Sequence, residues 1–292
     1  MKKVIVIVGP TASGKSDLSV KLAKYLNTEI ISGDSVQVYR SLDIGSSKIT
    51  KDEMQGIKHH LIDILDPDED YSVATFQKNA RRCIDEIASS GHIPILCGGT
   101  GFYLKAALYD YDFTNVSRTN EFESLTNEEL FNKLNELGDK EIPDVNDRKR
   151  LLRHMELFSS NLDMKYGKND PLYDILFISL TMPRDVLYER INNRVDSMVK
   201  SGLIEEVKSL YDKGIKSNSV RAIGYKELYS YFDGEISLDD AIDLIKKNSR
   251  HFAKRQYTWL NNQIHPIYID ITKEDPLEKS KTLIDEFIKK AD

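Results

Sequence analysis

The sequence holds few of the residues that staple a chain together or anchor it in a membrane. It has two cysteines, Cys83 and Cys97. Both lie inside apolar stretches and neither has a metal-ligand spacing, which excludes a disulfide framework and a cysteine-bound zinc. That usage fits a reducing, cytoplasmic setting. No apolar run approaches the roughly 20 residues that span a bilayer. Met1-Lys2-Lys3, followed by five apolar residues and a glycine, is too short for a signal-peptide core and reads as a first strand. Internal repeats and low-complexity linkers are missing too. Positive charge is in deficit: the formal net charge is −6, which on its face argues against a dedicated nucleic-acid binder. With 292 residues at 40% hydrophobic content, the chain can build a sizeable core, in one large domain or two unequal ones.

What is present alternates strand and helix. Lys3–Val8 is a continuous β-branched run, as a strand buried on both faces requires. Apolar Leu18, Leu22 and Leu26 mark a helix after it. Further strands are predicted at 28–31, 60–65, 93–97, 175–180 and 267–271. Ser72 is a plausible N-cap for a helix to about Ala88, with Val73, Phe76, Ala80, Ile84 and Ile87 on one face. Later helices are predicted over 184–213, 222–231, 238–260 and 276–290. This is the pattern of an α/β fold with a parallel sheet flanked by helices. From Asp112 to about Pro171 the pattern changes to polar helix with no strand candidate. The expected organisation is therefore a catalytic core of residues 1–111 and 172–292 with a small all-helical insertion at 112–171.

The strongest motif is Gly9-Pro10-Thr11-Ala12-Ser13-Gly14-Lys15-Ser16, a P-loop placed between a buried strand and a helix. Its glycines let backbone N–H groups turn in around phosphate oxygens, and the helix N-terminus adds partial positive charge. Lys15 supplies a full charge, and Ser16 offers a hydroxyl to Mg²⁺. Such loops usually serve nucleotide hydrolases or kinases, which need a carboxylate at the end of another buried strand. Here that strand ends Cys97-Gly98-Gly99-Thr100, with no carboxylate. A diphosphate is then a better candidate ligand than a nucleoside triphosphate. Asp34 ends the second strand, on the sheet edge where ligands bind. It has three readings: general base, metal ligand or cap.

Seven blocks resemble the tRNA dimethylallyltransferases, of bacterial type. They are the P-loop; Asp34-Ser35-Val36-Gln37-Val38-Tyr39; Asp43-Ile44-Gly45-Ser46-Ser47-Lys48; His59-His60-Leu61-Ile62-Asp63; Gly98-Gly99-Thr100-Gly101-Phe102-Tyr103; Arg221-Ala222-Ile223-Gly224-Tyr225-Lys226-Glu227; and Ala253-Lys254-Arg255-Gln256-Tyr257-Thr258-Trp259. The resemblance implies transfer of a dimethylallyl group from its diphosphate to N6 of adenosine 37, beside the tRNA anticodon. The P-loop, Lys15, Arg221 and a Ser16-bound Mg²⁺ would stabilise the departing diphosphate. Asp34 would accept the N6 proton, and Thr100 would hold the amine or cap a helix. Adenosine 37 must leave its stack, so Asp34, Ser35, Val36, Gln37 and Thr100 are expected to touch it, and Val38 and Tyr39, just beyond Asp34, are well placed to touch the flipped base or its neighbours. Phe102 and Tyr103 would wall the prenyl tail or simply pack.

Basic surface for tRNA is expected in two clusters. One is Arg148–His154, from which the resemblance assigns Lys149, Arg150, Leu151, Leu152 and Arg153 to tRNA. The other is Lys246, Lys247, Arg250, Lys254 and Arg255 on one late helix. Against the family pattern the insertion is short on both sides of 148–156, Arg153-His154-Met155-Glu156 replaces the usual Arg-Ala-Leu-Glu, and Ser16 stands where Thr is commoner. No cysteine–histidine set follows Trp259. The expected partners are tRNA, through its anticodon loop, and dimethylallyl diphosphate; the expected enzyme is a cytoplasmic monomer with no membrane contact. The alternatives are an isopentenyltransferase acting on free adenine nucleotides, a small-molecule P-loop kinase, and a non-catalytic RNA binder with a relic P-loop.

Overall fold

The protein is described by a computed structural model over residues 1–111, 113, 119–139, 142–159 and 170–290. It divides into two compact units, Met1–Tyr109 with Pro171–Asp292, and Asp110–Asp170. The boundary expected at Asp112 lies outside the described residues.

The first unit is built on strands β1 (Lys3–Val8), β2 (Ile30–Ser32), β3 (His59–His60), β4 (Ile95–Cys97), β5 (Asp174–Thr181) and β6 (Ile267–Asp270). They form one six-stranded sheet in the order β3-β2-β4-β1-β5-β6, every pair parallel. The α/β fold matches the one read from the sequence. Central strand β1 explains why its sequence is unbroken by polar residues. Val4, Val6 and Val8 enter one apolar layer, and Ile5 and Ile7 enter the layer on the opposite face. All five are at most 1% exposed, each burial contributing about 1.5–3 kcal/mol.

Around the sheet run α1 (Lys15–Leu26), the short α2 (Lys51–Met54), α3 (Val73–Ser89) and α4 (Gly101–Leu108). The second unit contributes α5 (Asn127–Glu136) and α6 (Arg148–Ser159). The first unit then resumes with α7 (Arg184–Lys200), α8 (Leu203–Asp212), α9 (Tyr225–Phe232), α10 (Leu238–Gln263) and α11 (Pro276–Lys289). Ser72 caps α3 as expected, its Oγ accepting from the Thr75 amide at 3.0 Å. A further apolar cluster gathers α7 to α10 against the segment carrying Val38, Tyr39 and Leu42.

Two predicted elements differ. The helix expected over 184–213 is two helices, because Gly202 adopts φ 102°, a left-handed conformation that ends α7 and begins α8. The strand expected over 60–65 stops at His60. Leu61 (φ 62°) and Asp63 (φ 54°) turn the chain left-handed. Leu61 is thereby buried, 5% exposed, and the Asp63 carboxylate meets Lys48 Nζ at 2.5 Å.

In the second unit, Leu130 and Leu134 of α5 pack on Leu151 and Met155 of α6. Both helices are short, so their mutual apolar face carries most of their stability.

Candidate active site

The carboxyl ends of β1, β2 and β4 open into one cavity of ≈ 440 Å³. Thr11, Lys15 and Ser16 line one part of it, and Asp34 to Gln37 and Thr100 another. Arg194 and Arg221 line it as well. Every residue expected to be catalytic, Asp34, Thr100 and Arg221, is therefore on one wall system.

The P-loop backbone takes positive φ at Gly9 (135°), Ala12 (64°) and Gly14 (94°), the alternation that turns amides inward into an anion cradle. Gly9 has no room for a side chain: a Cβ there would lie 2.9 Å from the Leu180 carbonyl oxygen. The amides of Lys15 and Ser16, at the start of α1, have no intrahelical partner. Lys15 Nζ donates to the Pro10 carbonyl at 2.7 Å. Burial lowers the Lys15 pKa to about 8, the charge of Arg194 acting the same way and Cys97 and Asp34 opposing.

Two glycines bring Asp34 and Thr100 together. Gly33 follows β2 and Gly98 follows β4; a Cβ on Gly98 would stand 2.6 Å from the Gly33 carbonyl oxygen. The Gly33 amide donates to the Cys97 carbonyl at 2.7 Å. This close approach sets Asp34 and Thr100 on neighbouring strand ends. Asp34 Oδ1 accepts from the amides of Val36 (2.8 Å) and Gln37 (3.2 Å). The cap reading is thus real for one oxygen, while Oδ2 has no hydrogen-bond partner among the described residues. Thr100 occupies the N-cap position of α4, yet its hydroxyl makes no capping bond. Of its two sequence readings, the cap is not formed.

Gln37 is held from behind, its Nε2 donating to the carbonyls of Ser46 (3.3 Å) and Ser47 (3.2 Å). That segment is itself fixed by Glu206, whose carboxylate accepts from the amides of Asp43, Ile44 and Gly45 and from Tyr225 Oη. Arg221 ends a 3₁₀ turn, Asn218–Arg221, rather than starting a helix, and is exposed at the cavity wall.

Several expectations are corrected here. Val38 and Tyr39 are 0% and 3% exposed; they pack against α7 to α10 and do not line the cavity. Of the two readings of the α4 aromatics, packing holds for Tyr103, whose ring centroid is 4.9 Å from that of Phe76, while Phe102 is exposed. The apolar lining comes instead from residues such as Ile49, Ile62, Val195, Met198 and Phe252. In the helical unit Leu151, expected at the tRNA surface, is 0% exposed because it is the knob that joins α6 to α5; Leu152 packs partly into the same cluster. Lys149 and Arg150 are exposed, and Arg153 pairs with Glu156 at 2.9 Å.

Sequence reasoning gave two cavity residues no role. Gln256 links the P-loop to the turn after β4: its Oε1 accepts from the Thr11 amide at 2.8 Å and its Nε2 donates to the Gly99 carbonyl at 3.0 Å. Its place in the late Ala253–Trp259 block was the available signal. Arg194 on α7 donates to Thr11 Oγ1 (2.8 Å) and Ser47 Oγ (2.7 Å), and no motif flagged it. Among the described residues no group of three His, Cys, Asp or Glu side chains is arranged to hold a metal. No helix there is long and apolar enough to cross a membrane.

Comparison with known proteins places this geometry. The IPP transferase family model matches residues 37–263. A tRNA dimethylallyltransferase of Bacillus subtilis (strain 168) is 46% identical over 294 residues, covering 95% of this chain and 94% of that one. The crystal structure of a tRNA delta(2)-isopentenylpyrophosphate transferase from Staphylococcus epidermidis superposes with TM-score 0.77 at 41% identity, covering 98% of this chain and 99% of that one. A eukaryotic dimethylallyltransferase, captured acting on tRNA, superposes with TM-score 0.84 at 29% identity, covering 99% of this chain and 80% of that one.

Proposed function

This chain belongs to the IPP transferase family, and from that premise we propose that it transfers a dimethylallyl group from dimethylallyl diphosphate to N6 of adenosine 37 in tRNA. The observation that carries this assignment is the single cavity whose walls hold Lys15, Ser16 and Arg221 together with Asp34 and Thr100. Phosphate-binding and proton-accepting groups thus share one space of ≈ 440 Å³, within the usual size of a small-ligand site.

In the reaction a bond forms between the adenine N6 and C1 of the dimethylallyl group as the C1–O bond to the diphosphate breaks. The N6 lone pair is delocalised into the purine, so the amine is a poor nucleophile. Asp34 Oδ2 accepts its proton, while Oδ1 stays committed to the turn amides and holds the carboxylate still. The Thr100 hydroxyl, left free by the missing cap, orients the amine. Lys15, Arg221 and the P-loop amides receive the charge that accumulates on the leaving diphosphate. Mg²⁺ fits this donor set: the Ser16 hydroxyl at the phosphate cradle would hold it, substrate oxygens and waters supplying its other ligands. When bound, it would neutralise part of the diphosphate charge.

The adenosine must be extruded from its loop to reach Asp34, and Ser35, Val36 and Gln37 line the same wall. Lys149 and Arg150 of α6 present exposed charge for the tRNA backbone. We place the enzyme in the cytoplasm, acting as a monomer.

The test is direct. The protein is incubated with dimethylallyl diphosphate, Mg²⁺ and either unmodified tRNA carrying A36-A37 or free AMP, and the products are read by mass spectrometry. Prenylated adenosine in the tRNA and none on AMP is expected. Prenylated AMP would make the chain a nucleotide prenyltransferase, and ATP consumption without prenyl transfer would make it a kinase.

A further inference from the structure

We infer that Arg194 is a further ligand of the donor diphosphate, forming with Lys15 and Arg221 a three-cation grip on the leaving group. This role rests on the prenyl-transfer function proposed above.

The case is one of an unbalanced charge. Arg194 lies on the inner face of α7 and lines the cavity beside Thr11 and Lys15. Its two hydrogen bonds go to neutral hydroxyls, Thr11 Oγ1 at 2.8 Å and Ser47 Oγ at 2.7 Å. No carboxylate of the described residues lies in ion-pair contact with it; Asp34 acts on it only from farther away. Guanidinium groups withdrawn from water are ordinarily paired with an anion, because desolvating an isolated charge is costly. Burial pulls this one below the usual arginine value. Lys15 lines the same cavity. Two like charges facing one space, with no carboxylate of the described residues in contact with either, are explained by an anion that enters between them.

The shape agrees with the charge. A guanidinium presents a planar fork that can bind phosphate oxygens in pairs. The Thr11 hydroxyl it touches belongs to the P-loop, so the fork already stands at the phosphate cradle. One helical turn earlier, Arg190 brings its NH2 to 4.0 Å from the place a Cβ on Gly14 would take. The same face of α7 therefore directs two arginines at the loop, an i, i+4 arrangement. The Ser47 contact extends the grip, since the Ser47 carbonyl also receives Gln37 Nε2 at 3.2 Å. Filling the diphosphate site would draw Arg194 toward the phosphate and away from the segment that holds Gln37.

The experiment measures binding of inorganic diphosphate with Mg²⁺ by calorimetry, in the full chain, for the wild type, Arg194→Gln, Arg194→Lys and Ser47→Ala. Arg194→Gln is expected to weaken diphosphate binding about ten- to a hundredfold, to raise the KM for dimethylallyl diphosphate to match, and to leave tRNA affinity unchanged. Arg194→Lys keeps the charge and loses the fork, and should fall between. Should Arg194→Gln not fold, as judged by circular dichroism, the lysine variant carries the test by the same measurement. Ser47→Ala removes a hydroxyl that holds Arg194 but no charge, so its diphosphate affinity should match the wild type or exceed it. Wild-type diphosphate affinity in the Arg194 variants would overturn the inference. So would a loss in Ser47→Ala equal to that in Arg194→Gln, which would make Arg194 a tie between two loops. A wild type that neither binds diphosphate nor prenylates tRNA would bring down the prenyl-transfer assignment itself. Normal transfer with undiminished binding in the arginine variants would bring down the role of Arg194 alone.

Discussion

Lys15, Arg194 and Arg221 line the cavity of the α/β unit with no ion-pair partner among the described residues. On α6 of the helical unit, Arg148, Arg150 and Arg153 each have a carboxylate within 4 Å, on Glu123 (3.4 Å), Asp147 (3.5 Å) and Glu156 (2.9 Å). The formal charges are the same and the environments opposite. Lys15 and Arg194 have been left without counter-ions at a cost in desolvation, which an incoming polyanion would offset. Those on α6 are mostly balanced within the unit. Arg148 in particular works as a brace, donating to the carbonyls of Leu125 and Glu123 and to Asn127 Oδ1. A count of basic residues in the sequence ranks α6 above the cavity; pairing and burial reverse that order.

The largest expected effect falls on Asp34, the one carboxylate among the described residues that lines the cavity with those cations. Asp34→Asn keeps an oxygen to receive the Val36 and Gln37 amides, so the turn should survive, while the proton acceptor is lost. The transfer rate should drop about 10²- to 10⁴-fold with tRNA affinity maintained, as measured by single-turnover assay and filter binding. If affinity collapses together with rate, Asp34 is a structural cap and the cavity contains cations with no base.

A middling effect follows from Lys15. Its pKa in the free protein is about 8, against an ordinary value near 10.4. The sign follows from which form binds an anion. Below about 8 the ammonium is present and attracts the diphosphate; above it the amine is neutral. Affinity for the donor should thus decline as pH rises through 8, approaching tenfold per unit at first, and kcat/KM should follow. Once the diphosphate is bound it stabilises the ammonium, so kcat should stay flatter than kcat/KM over the same range. A flat kcat/KM from pH 7 to 9.5 would mean that Lys15 is not the depressed cation the cavity makes it.

The same contrast explains what could be read from the sequence. The β1 run, the P-loop spacing and the strand–helix alternation are local, and each produced its element. Asp34 and Thr100 were legible because strand ends are where such sheets bind ligands, although nothing local shows that Gly33 and Gly98 touch and so bring them together. Arg194 reaches its P-loop partner across 183 residues, on a helix whose sequence looks like any amphipathic surface helix. Leu61 and Asp63 take left-handed backbone without being glycine, imposed by the burial of Leu61 and the Lys48 contact. Gly202 is the opposite case, a helix breaker visible in the sequence that splits the span 184–213 into two helices. Leu151 was assigned by position within a basic run, whereas its neighbours on α5 decide that it faces inward.

The smallest expected effect tests whether α6 touches tRNA at all. Lys149 is exposed and makes no hydrogen bond or ion pair among the described residues, and Arg150 is 77% exposed with a loose 3.5 Å contact to Asp147, a kind of pair worth little in water. These two can turn to a phosphate backbone at almost no cost, whereas Arg148 cannot leave its carbonyls. Lys149→Ala with Arg150→Ala should weaken tRNA binding by about three- to thirtyfold at low salt and reduce the log–log salt slope by up to about 0.9 per lost phosphate contact, with dimethylallyl diphosphate binding untouched. Arg148→Ala should act differently, lowering the thermal stability of the helical unit before it alters the salt slope. If the double variant binds tRNA as the wild type does while Arg148→Ala does not, α6 serves only to shape its unit, and the tRNA-binding charge has to be sought on α10, where Lys254 and Arg255 are exposed.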